Sequence, residues 1–415
     1  MKSFVEYSSN SDFSIHNIPF GVAVFNKEYI GCCTRIGDQV IDLASLYDLG
    51  YFEDIEGLED NVFEAYTLNE FIELGKPITN AVRTKIQELL QEGSTLSKDQ
   101  KTIEDAFYEL DQVKMIMPLH IPNYTDFYSS IEHATNVGKM FRDPANALLP
   151  NWKHLPVGYH GRASSIVISG TDINRPKGQT KPADAEKPVF GPSKQLDFEL
   201  EMAFVINKNT DMGESISTKD AEDAIFGMVI FNDWSARDIQ AWEYVPLGPF
   251  LAKNFGSSIS PWVVTLEALA PFRTASPVQD PEVLDYLKFE GDKNYDINLE
   301  VYLQPENGEE NLISESNYKF MYWNMTQQLA HHTVNGCNLE VGDLYASGTI
   351  SGSDPKSFGS MLELTWRGQN PIQLSNGQER KFIEDNDTIT MKAWAEKDGV
   401  RVGFGEVSGK IIPSL

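Results

Sequence analysis

The sequence contains the stretch Gln195-Leu-Asp-Phe-Glu-Leu-Glu201, in which apolar and acidic residues alternate strictly. A period of two is typical of a β-strand, so the three acids are predicted to project from one face. Carboxylates two positions apart on a strand lie roughly 7 Å from each other, close enough to share one cation. The stretch therefore predicts a strand with an acidic face.

The acidic face does not stay polar along the chain. A strand with one side in water is the commoner explanation of such alternation. Here, however, the same side continues with Ala203 and Val205, which are apolar. Acids on a face that enters the interior need a neutralising group, and a hard cation is the simplest candidate. Half of a cation site is therefore predicted, and a solvated strand is the alternative.

Length and charge limit the possible classes of protein. The chain has 415 residues, so two domains are expected. A hydrophobic fraction of 41% and a charged fraction of 23% are typical of a globular protein. The net charge of −27 argues against a nucleic-acid partner, because there is no basic stripe to displace phosphate counterions. An anionic substrate would need local cations to hold it.

The cysteines are Cys32, Cys33 and Cys337, an odd number whose spacing predicts neither a disulfide framework nor a zinc site. Buried thiols in a reducing compartment are expected instead. The first residues lack the apolar core of a signal peptide, and no run of about 18 apolar residues occurs. We therefore expect a soluble cytoplasmic protein with no membrane partner.

Two units are predicted, residues 1–118 and 119–415. In the first, short strands are expected at 20–25, 29–34 and 39–43, followed by helices around 80–91 and 97–110. Pro118 and Pro122 interrupt helix, and glycine, histidine and tryptophan then become frequent. Recurrent strands with few long helices favour a β-rich roll over a Rossmann or TIM layout in the second unit.

Asp126 and His133 lie seven residues apart in the segment 124–138, with Tyr128 between them. If this segment is helical, two turns bring the acid and the imidazole to the same face. The alternative is an Asp that caps a helix, followed by a hydrogen-bonded structural His. Both interpretations stay open on this segment alone.

A polar helical stripe is predicted after the apolar run 228–231. Its members are Asp233, Arg237, Gln240 and Tyr244. The alternative is a surface ion pair of Asp233 with Arg237, which would contribute only about 0.5 kcal/mol. Against that alternative, Asp233 is expected at the end of a strand, where sites are often built.

Three further features could supply chemistry. Lys253 has apolar neighbours and is a candidate buried cation, although a surface Lys is the usual alternative. Backbone N–H groups of the turn 346–352 could hold a carboxylate, and Glu363 could orient a histidine. Structural hydrogen bonds are expected for His331 and His332, because adjacent side chains diverge.

Longer motifs resemble the fumarylacetoacetate hydrolase family over essentially the whole chain. They are Asp126-Phe-Tyr-Ser-Ser130, His133-Ala-Thr-Asn-Val-Gly138, Met140-Phe-Arg142, Pro156-Val-Gly-Tyr-His-Gly-Arg162, Leu196-Asp-Phe-Glu-Leu-Glu201, Phe231-Asn-Asp-Trp-Ser-Ala-Arg-Asp-Ile-Gln-Ala-Trp-Glu243 and Gly348-Thr-Ile-Ser-Gly352. The resemblance implies a mainly β chain with some α-helix. It implies a small SH3-like N-terminal barrel, residues 1–118, a C-terminal mixed β-roll, residues 119–415, and a homodimer.

The resemblance also implies a set of site residues. A Ca²⁺ or Mg²⁺ ion is implied at Asp126, Glu199, Glu201 and Asp233, with a second, structural Mg²⁺ near Asp233, Lys253 and Ser257, where family members often have Thr. The implied catalytic residues are His133, Glu363, Arg237, Gln240 and Lys253. The implied substrate-binding residues are Tyr128, Arg142, Tyr159, Gln240, Tyr244 and Thr349.

The activity implied by the resemblance is metal-dependent cleavage of a carbon–carbon bond in a dicarboxylate β-diketone, 4-fumarylacetoacetate. The products would be fumarate and acetoacetate, in the final step of tyrosine and phenylalanine catabolism. One alternative is another acylpyruvate or β-diketone hydrolase, or a decarboxylase, of the same superfamily. A non-catalytic calcium-binding module is a more distant alternative. Asp197, the third acid of the opening stretch, receives no role beyond solvation or hydrogen bonding.

Overall fold

The computed structural model describes residues 1–182 and 184–415, and three larger β-sheets organise that part of the chain. The prediction of a mainly β chain with some α-helix is confirmed. The α-helices of the described residues are Leu43–Asp48, Asn69–Glu73, Lys76–Leu89, Gln100–Ala106, Ile131–Phe141, Arg237–Glu243, Leu266–Leu269, Met325–Thr333 and Met361–Leu364. Within the same residues, no helix has the length and apolar character needed to span a bilayer.

An antiparallel sheet forms the N-terminal part of the molecule. Its strands, in spatial order, are Phe107–Glu109, Gln39–Asp42, Tyr29–Ile36, Phe20–Phe25 and Val113–Ile116. The predicted strands of this region are confirmed. The helix predicted around 80–91 extends over Lys76–Leu89 and buries Val82 and Ile86. The helix predicted over 97–110 is wrong in its second half, because residues 107–109 pair with the strand at 39–42 instead.

A central sheet of eight strands contains three of the four acids predicted to bind a cation, Asp126, Glu201 and Asp233. Its main path runs through Gly158–His160, Tyr124–Phe127, Leu344–Ala346, Leu200–Ile206, Ile225–Asp233, Ser257–Ile259 and Ile166–Ile168, and Val264–Thr265 pairs with Ile225–Asp233. The third large sheet contains Asn311–Asn317, Asn298–Gln304, Thr388–Lys397, Val400–Ile412 and Ile173–Asn174. The two-stranded pairs are Lys177–Thr180 with Val189–Pro192, Leu196–Asp197 with Ser235–Ala236, Arg273–Thr274 with Asn294–Tyr295, and Ile372–Gln373 with Glu379–Arg380.

Both faces of the central strand Leu200–Ile206 are buried. Met202 and Phe204 pack into the hydrophobic core of the C-terminal part. Ala203 and Val205 pack on the other side, into a core that also contains N-terminal residues such as Phe20. Because the sheet lies between two cores, the alternation of this strand does not mark a solvent-exposed side.

The stretch 195–201 is not one continuous strand. Leu196–Asp197 pairs with Ser235–Ala236, whereas Leu200–Ile206 pairs with Ile225–Asp233. Between them, Glu199 forms an isolated bridge with Ser360. Every residue from 196 to 206 is buried, so the alternative of a solvated strand is wrong. The interruption allows neighbouring acids to reach different partners.

Candidate active site

Four buried carboxylates converge near the ends of three strands of the central sheet, and one of them, Glu199, lies just before its strand. They are Asp126, Glu199, Glu201 and Asp233, and each offers an oxygen within 4.8 Å of the others. In the sheet, the strand with Asp126 is followed by Leu344–Ala346, then by Leu200–Ile206 with Glu201, and then by the strand that ends at Asp233. The structure thus brings together the four acids predicted to bind one cation.

Two of these acids have oxygens with no partner among the described residues. They are Asp126 Oδ1 and Glu201 Oε1. Burial raises the pKa of both groups well above the usual range, and neighbouring carboxylates raise it further. A hard divalent cation would satisfy these oxygens and compensate their charge. The oxygen-only donor set therefore fits such an ion.

The other side of the cluster already has cationic partners. Lys253 Nζ donates to Glu199 and, at 2.6 Å, to Asp233 Oδ2. Arg237 Nη1 lies 2.8 Å from Glu199 Oε1. Although burial opposes the shift, Lys253 and Arg237 lower the pKa of Glu199 to about 2. The surface alternatives for Lys253 and for an Asp233–Arg237 pair are wrong, since both cations are buried and Arg237 contacts other acids.

Asp197, to which no role was assigned, is completely buried and fully hydrogen-bonded. Its Oδ2 accepts from Arg237 Nε at 2.8 Å and from the backbone N–H of Leu362 at 3.0 Å. Its Oδ1 accepts from the N–H of Met361 at 2.6 Å. Of the two possibilities left for this residue, hydrogen bonding is the correct one.

A histidine and a glutamate form a close pair beside the acids. His133 lies in the helix Ile131–Phe141, and its Nδ1 is 2.6 Å from Glu363 Oε2. Glu363 lies in the helix Met361–Leu364 and is buried. Burial would raise the pKa of Glu363, but His133 and hydrogen-bond donors lower it below the usual range. An anionic Glu363 holds the proton of Nδ1 and leaves Nε2 as the proton acceptor.

Sequence reasoning did not single out the side chains that surround Glu363. Asn136 Nδ2 donates to its Oε1 at 3.0 Å. Ser351 Oγ and Ser360 Oγ donate to its Oε2 at 3.0 and 2.9 Å. Ser360 precedes Glu363 by three residues and caps its helix, so the spacing Ser-x-x-Glu was a signal that could have located this element.

Two local predictions about these segments are wrong. Asp126 is in the strand Tyr124–Phe127, not on a helix with His133, and Ser130 caps the helix that follows. Asp233 ends a strand, and the next helix begins only at Arg237, so the predicted polar stripe is not one helical face. In both cases strand pairing in the central sheet overrides the helical spacing.

The turn 346–352 does hold a carboxylate through its backbone, and that carboxylate is Glu201. The N–H of Gly348 donates to Glu201 Oε2 at 2.9 Å. Gly348 has a φ of 78°, and a Cβ at this position would lie 2.4 Å from the carbonyl oxygen of Phe127. Glycine is therefore required where this turn approaches the strand that contains Asp126.

Several other predicted site residues lie against the cluster. Tyr159 OH donates to Asp233 Oδ2 at 3.1 Å, and Ser257 Oγ donates to Asp233 Oδ1 at 2.8 Å. Gln240 Oε1 accepts from Arg237 Nη1 at 3.3 Å. Tyr128 is half-buried, and its ring meets that of His133 edge-on at 5.2 Å. Thr349 is buried.

Arg142 and Tyr244 make no hydrogen bond to the acidic cluster within the described chain. Arg142 is exposed and donates through Nη2 to the carbonyl of Ala147 at 2.6 Å. Tyr244 is 50% exposed at the end of its helix. His331 and His332 have structural partners: Tyr286 contacts His331, whereas Thr125 and Tyr345 contact His332.

Family models match both parts of the chain. The model described as "Fumarylacetoacetase N-terminal" matches residues 16–118, and "Fumarylacetoacetate (FAA) hydrolase C-terminal" matches residues 123–412. Curated relatives named fumarylacetoacetase align over 100% of this chain. The protein from Homo sapiens is 50% identical with 99% of its own length covered, and that from Dictyostelium discoideum is 51% identical with 98% covered.

A solved structure has the same fold at low sequence identity. The fumarylacetoacetate hydrolase from Exiguobacterium antarcticum superposes with a TM-score of 0.53 at 18% identity, over 95% of this chain and 99% of its own. The family models, together with a buried acidic cluster that could bind a metal, place the chain in a class of metal-dependent hydrolases. This chain belongs to the fumarylacetoacetate hydrolase family.

Proposed function

We propose that this enzyme hydrolyses 4-fumarylacetoacetate to fumarate and acetoacetate, the final step of tyrosine and phenylalanine catabolism. Full-length identity of about half to relatives named for this activity supports the substrate. The observation that supports the chemistry is the contact of His133 with Glu363 beside four buried carboxylates. Such an arrangement combines a general base with a cation site.

His133 is proposed as the general base. Because Glu363 holds its Nδ1, Nε2 of the same ring can take a proton from water, which then attacks the carbonyl carbon next to the bond that breaks. Glu363 orients the ring and stabilises the imidazolium that forms. Asn136, Ser351 and Ser360 hold Glu363 in place and thereby keep the imidazole in one orientation.

The proposed cation ligands are Asp126, Glu199, Glu201 and Asp233. Carboxylate oxygens favour a hard ion, so Ca²⁺ or Mg²⁺ is proposed, with Ser257 and Lys253 supporting Asp233 from its other side. When bound, the ion supplies Lewis acidity toward the oxygens of a β-diketone. The protein residues orient the substrate and stabilise the negative charge that develops on it.

The leaving group of this reaction is an enolate, so donors must stabilise negative charge. Arg237 Nη2 is buried and has no hydrogen-bond partner among the described residues, and this spare donor supports the proposal that Arg237 acts here with Lys253. Gln240 contacts Arg237 directly. The proposed substrate contacts are Tyr128, Arg142, Tyr159, Gln240, Tyr244 and Thr349.

One assay tests this function. The ultraviolet absorbance of 4-fumarylacetoacetate should decrease with purified protein, cease to decrease after chelation, and decrease again after Ca²⁺ or Mg²⁺ is restored. Undiminished turnover by metal-free protein would contradict the role of the cation. Turnover of other acylpyruvates or β-diketones, but not of this substrate, would favour a different hydrolase or a decarboxylase. Metal uptake without any turnover would indicate a calcium-binding module.

We also propose a homodimer located in the cytoplasm. Large apolar side chains at Val245, Leu247 and Phe250 are exposed within six residues of each other, and this concentration, with exposed Phe190, supports an interface with a second copy. Light scattering would measure the mass directly. The division at 118/119, an SH3-like N-terminal barrel and a C-terminal mixed β-roll remain part of the proposal, and limited proteolysis tests the boundary.

A further inference from the structure

Asp197 connects two parts of the site that are distant in sequence. Its carboxylate is 0% exposed and receives three N–H groups. One belongs to the Arg237 side chain, and the other two are the backbone N–H groups of Met361 and Leu362. A carboxylate has enough lone pairs to accept all three at once.

On one side, Asp197 determines how the guanidinium of Arg237 is turned. It binds Nε, while Nη1 lies 2.8 Å from Glu199 Oε1 and 3.3 Å from Gln240 Oε1. These contacts leave Nη2 as the buried donor without a partner in the described chain. The planar guanidinium cannot change one contact without moving the others. The direction of Nη2 therefore depends on Asp197.

On the other side, Asp197 binds the first two N–H groups of the helix Met361–Leu364. That helix contains Glu363, whose backbone N–H is in turn bound by Ser360 Oγ at 3.3 Å. A helix of four residues has little stability of its own. Its position, and through Glu363 the position of His133, is therefore set by such contacts.

We propose that Asp197 is a positioning residue that holds Arg237 and the His133–Glu363 pair in a constant geometry relative to each other. It contacts neither the reacting atoms nor the cation and acts only through these groups. Its effect on turnover rests on the proposed function. Small displacements of reacting groups reduce rates strongly, so the loss of this connection should appear mainly in kcat.

A purely structural buried ion pair elsewhere in the chain supplies a matched control. Asp387 is also completely buried and binds Arg380 at 2.8 and 2.9 Å. It too accepts a backbone N–H, from Glu384 at 2.9 Å. None of these partners belongs to the proposed site. Asp387 therefore has the same type of contacts as Asp197 without its connection to the site.

The first experiment compares Asp197→Asn with Asp387→Asn. The amide NH₂ of Asn is a donor and must face one of the groups that donate to Asp197. Asp197→Asn therefore breaks at least one side of the connection. We expect kcat per folded molecule to fall about 10²-fold with Asp197→Asn. Calorimetry should show Ca²⁺ affinity changed by less than about threefold, and Asp387→Asn should keep kcat within about twofold. Equal kcat values in the two variants would overturn the proposal.

A second pair of variants isolates the helix side if Asp197→Asn does not fold. Met361 occupies the first position of its helix, where proline is tolerated, and Ser360 before it is extended with φ −150° and ψ 154°. Met361→Pro removes both the side chain and the N–H that donates to Asp197, whereas Met361→Ala removes only the side chain. We expect kcat to be about tenfold lower for the proline variant. Equal rates would contradict the proposal.

A measurement without turnover separates this inference from the proposed function. The short His133–Glu363 hydrogen bond should give a proton resonance downfield of the amide region, absent in Glu363→Gln. We expect Asp197→Asn, but not Asp387→Asn, to shift or remove this resonance. If wild-type protein does not hydrolyse 4-fumarylacetoacetate, the proposed function fails and the resonance alone decides. A resonance unchanged by Asp197→Asn would overturn the positioning role.

Discussion

Glu363 and Glu201 are both buried glutamates, with 1% and 0% of their surface exposed, but their surroundings differ. Glu363 accepts hydrogen bonds from four side chains, those of His133, Asn136, Ser351 and Ser360. Glu201 accepts one from the backbone of Gly348, and its Oε1 has no partner in the described part of the chain. The protein itself completes the first site and leaves the second open.

The electrostatics of the two glutamates follow from these partners. Burial would raise the pKa of each, because it disfavours the charged form. For Glu363, His133 and the other donors reverse that effect, and the pKa falls. For Glu201, the nearby carboxylate of Asp126 adds to it. The protein supplies the partners that keep Glu363 charged, whereas it supplies none for Oε1 of Glu201 within the described residues.

The largest effect is expected from the loss of the imidazole that Glu363 orients. His133→Ala should lower kcat about 10³-fold or more, because the general base is lost, while Ca²⁺ affinity stays nearly unchanged. Steady-state kinetics and calorimetry would measure both. His331→Ala is the control, since the hydrogen-bond partner of the His331 side chain in the described residues is Tyr286, outside the site, and turnover should stay normal. Loss of metal binding in His133→Ala would show that the two glutamate sites are not separable.

The next largest effect concerns the acids that already have partners. Arg237→Met removes the cationic donor of Asp197 and leaves Glu199 with Lys253 alone among the described residues. Breaking a buried ion pair from one side costs about 3–5 kcal/mol, so the free energy of unfolding should decrease by that amount. Arg380→Met should cost a similar amount through Asp387 but leave kcat unchanged. Denaturant titration and kinetics distinguish the two variants. A fully stable Arg237→Met variant would refute the conclusion that Arg237 already neutralises Asp197 and Glu199.

A substitution at Glu201 should not destabilise the metal-free chain, in contrast to Arg237→Met. Glu201→Gln removes an acid whose charged form lacks a compensating partner, so the metal-free variant should be as stable as wild type or more stable. Its affinity for Ca²⁺ should fall about 10²-fold, because a charged ligand is lost. Thermal unfolding with chelator and calorimetry with Ca²⁺ test the two parts. Unchanged affinity would remove Glu201 from the proposed ligands.

The smallest expected effect is on the pH dependence of stability. The contributions of Glu363 and Glu201 to the free energy of unfolding change in opposite directions as pH rises. The lowered pKa of Glu363 contributes stability that is present above the unfolded pKa and is lost as pH falls through the folded value. The raised pKa of Glu201 makes metal-free protein lose stability as pH rises above the unfolded value. Each group contributes at most about 1.4 kcal/mol per pH unit.

Thermal midpoints between about pH 4 and about pH 8, with and without Ca²⁺, would reveal these two effects. Bound Ca²⁺ should abolish the decrease at the high-pH side, and Glu201→Gln should make it smaller. Other buried acids whose pKa is also raised, among them Asp126, Asp233 and Asp343, contribute to the same decrease. A metal-free midpoint that rises steadily over this range would contradict the assignment of Glu201 as an uncompensated acid.

Local pattern was sufficient for much of the fold. The apolar face of Lys76–Leu89 and the first hairpin follow directly from residue periodicity. Where tertiary pairing competes with local spacing, the pattern failed. Asp126 and His133 have helical spacing, but the strand Tyr124–Phe127 pairs with Leu344–Ala346, more than two hundred residues away. Such a contact leaves no trace in the local spacing.

By itself, the sequence determined the kinds of atoms in the site: acids entering an apolar interior, a Lys among apolar neighbours, and motifs long enough to indicate the family. Only the tertiary structure decided which acid has which partner. Because the strand is interrupted at residues 198–199, Asp197 binds Arg237 and the first N–H groups of the helix Met361–Leu364, whereas Glu201 lies near Asp126. The physical reason is that an alternating pattern specifies a face, whereas charge compensation depends on which distant groups the fold packs against that face.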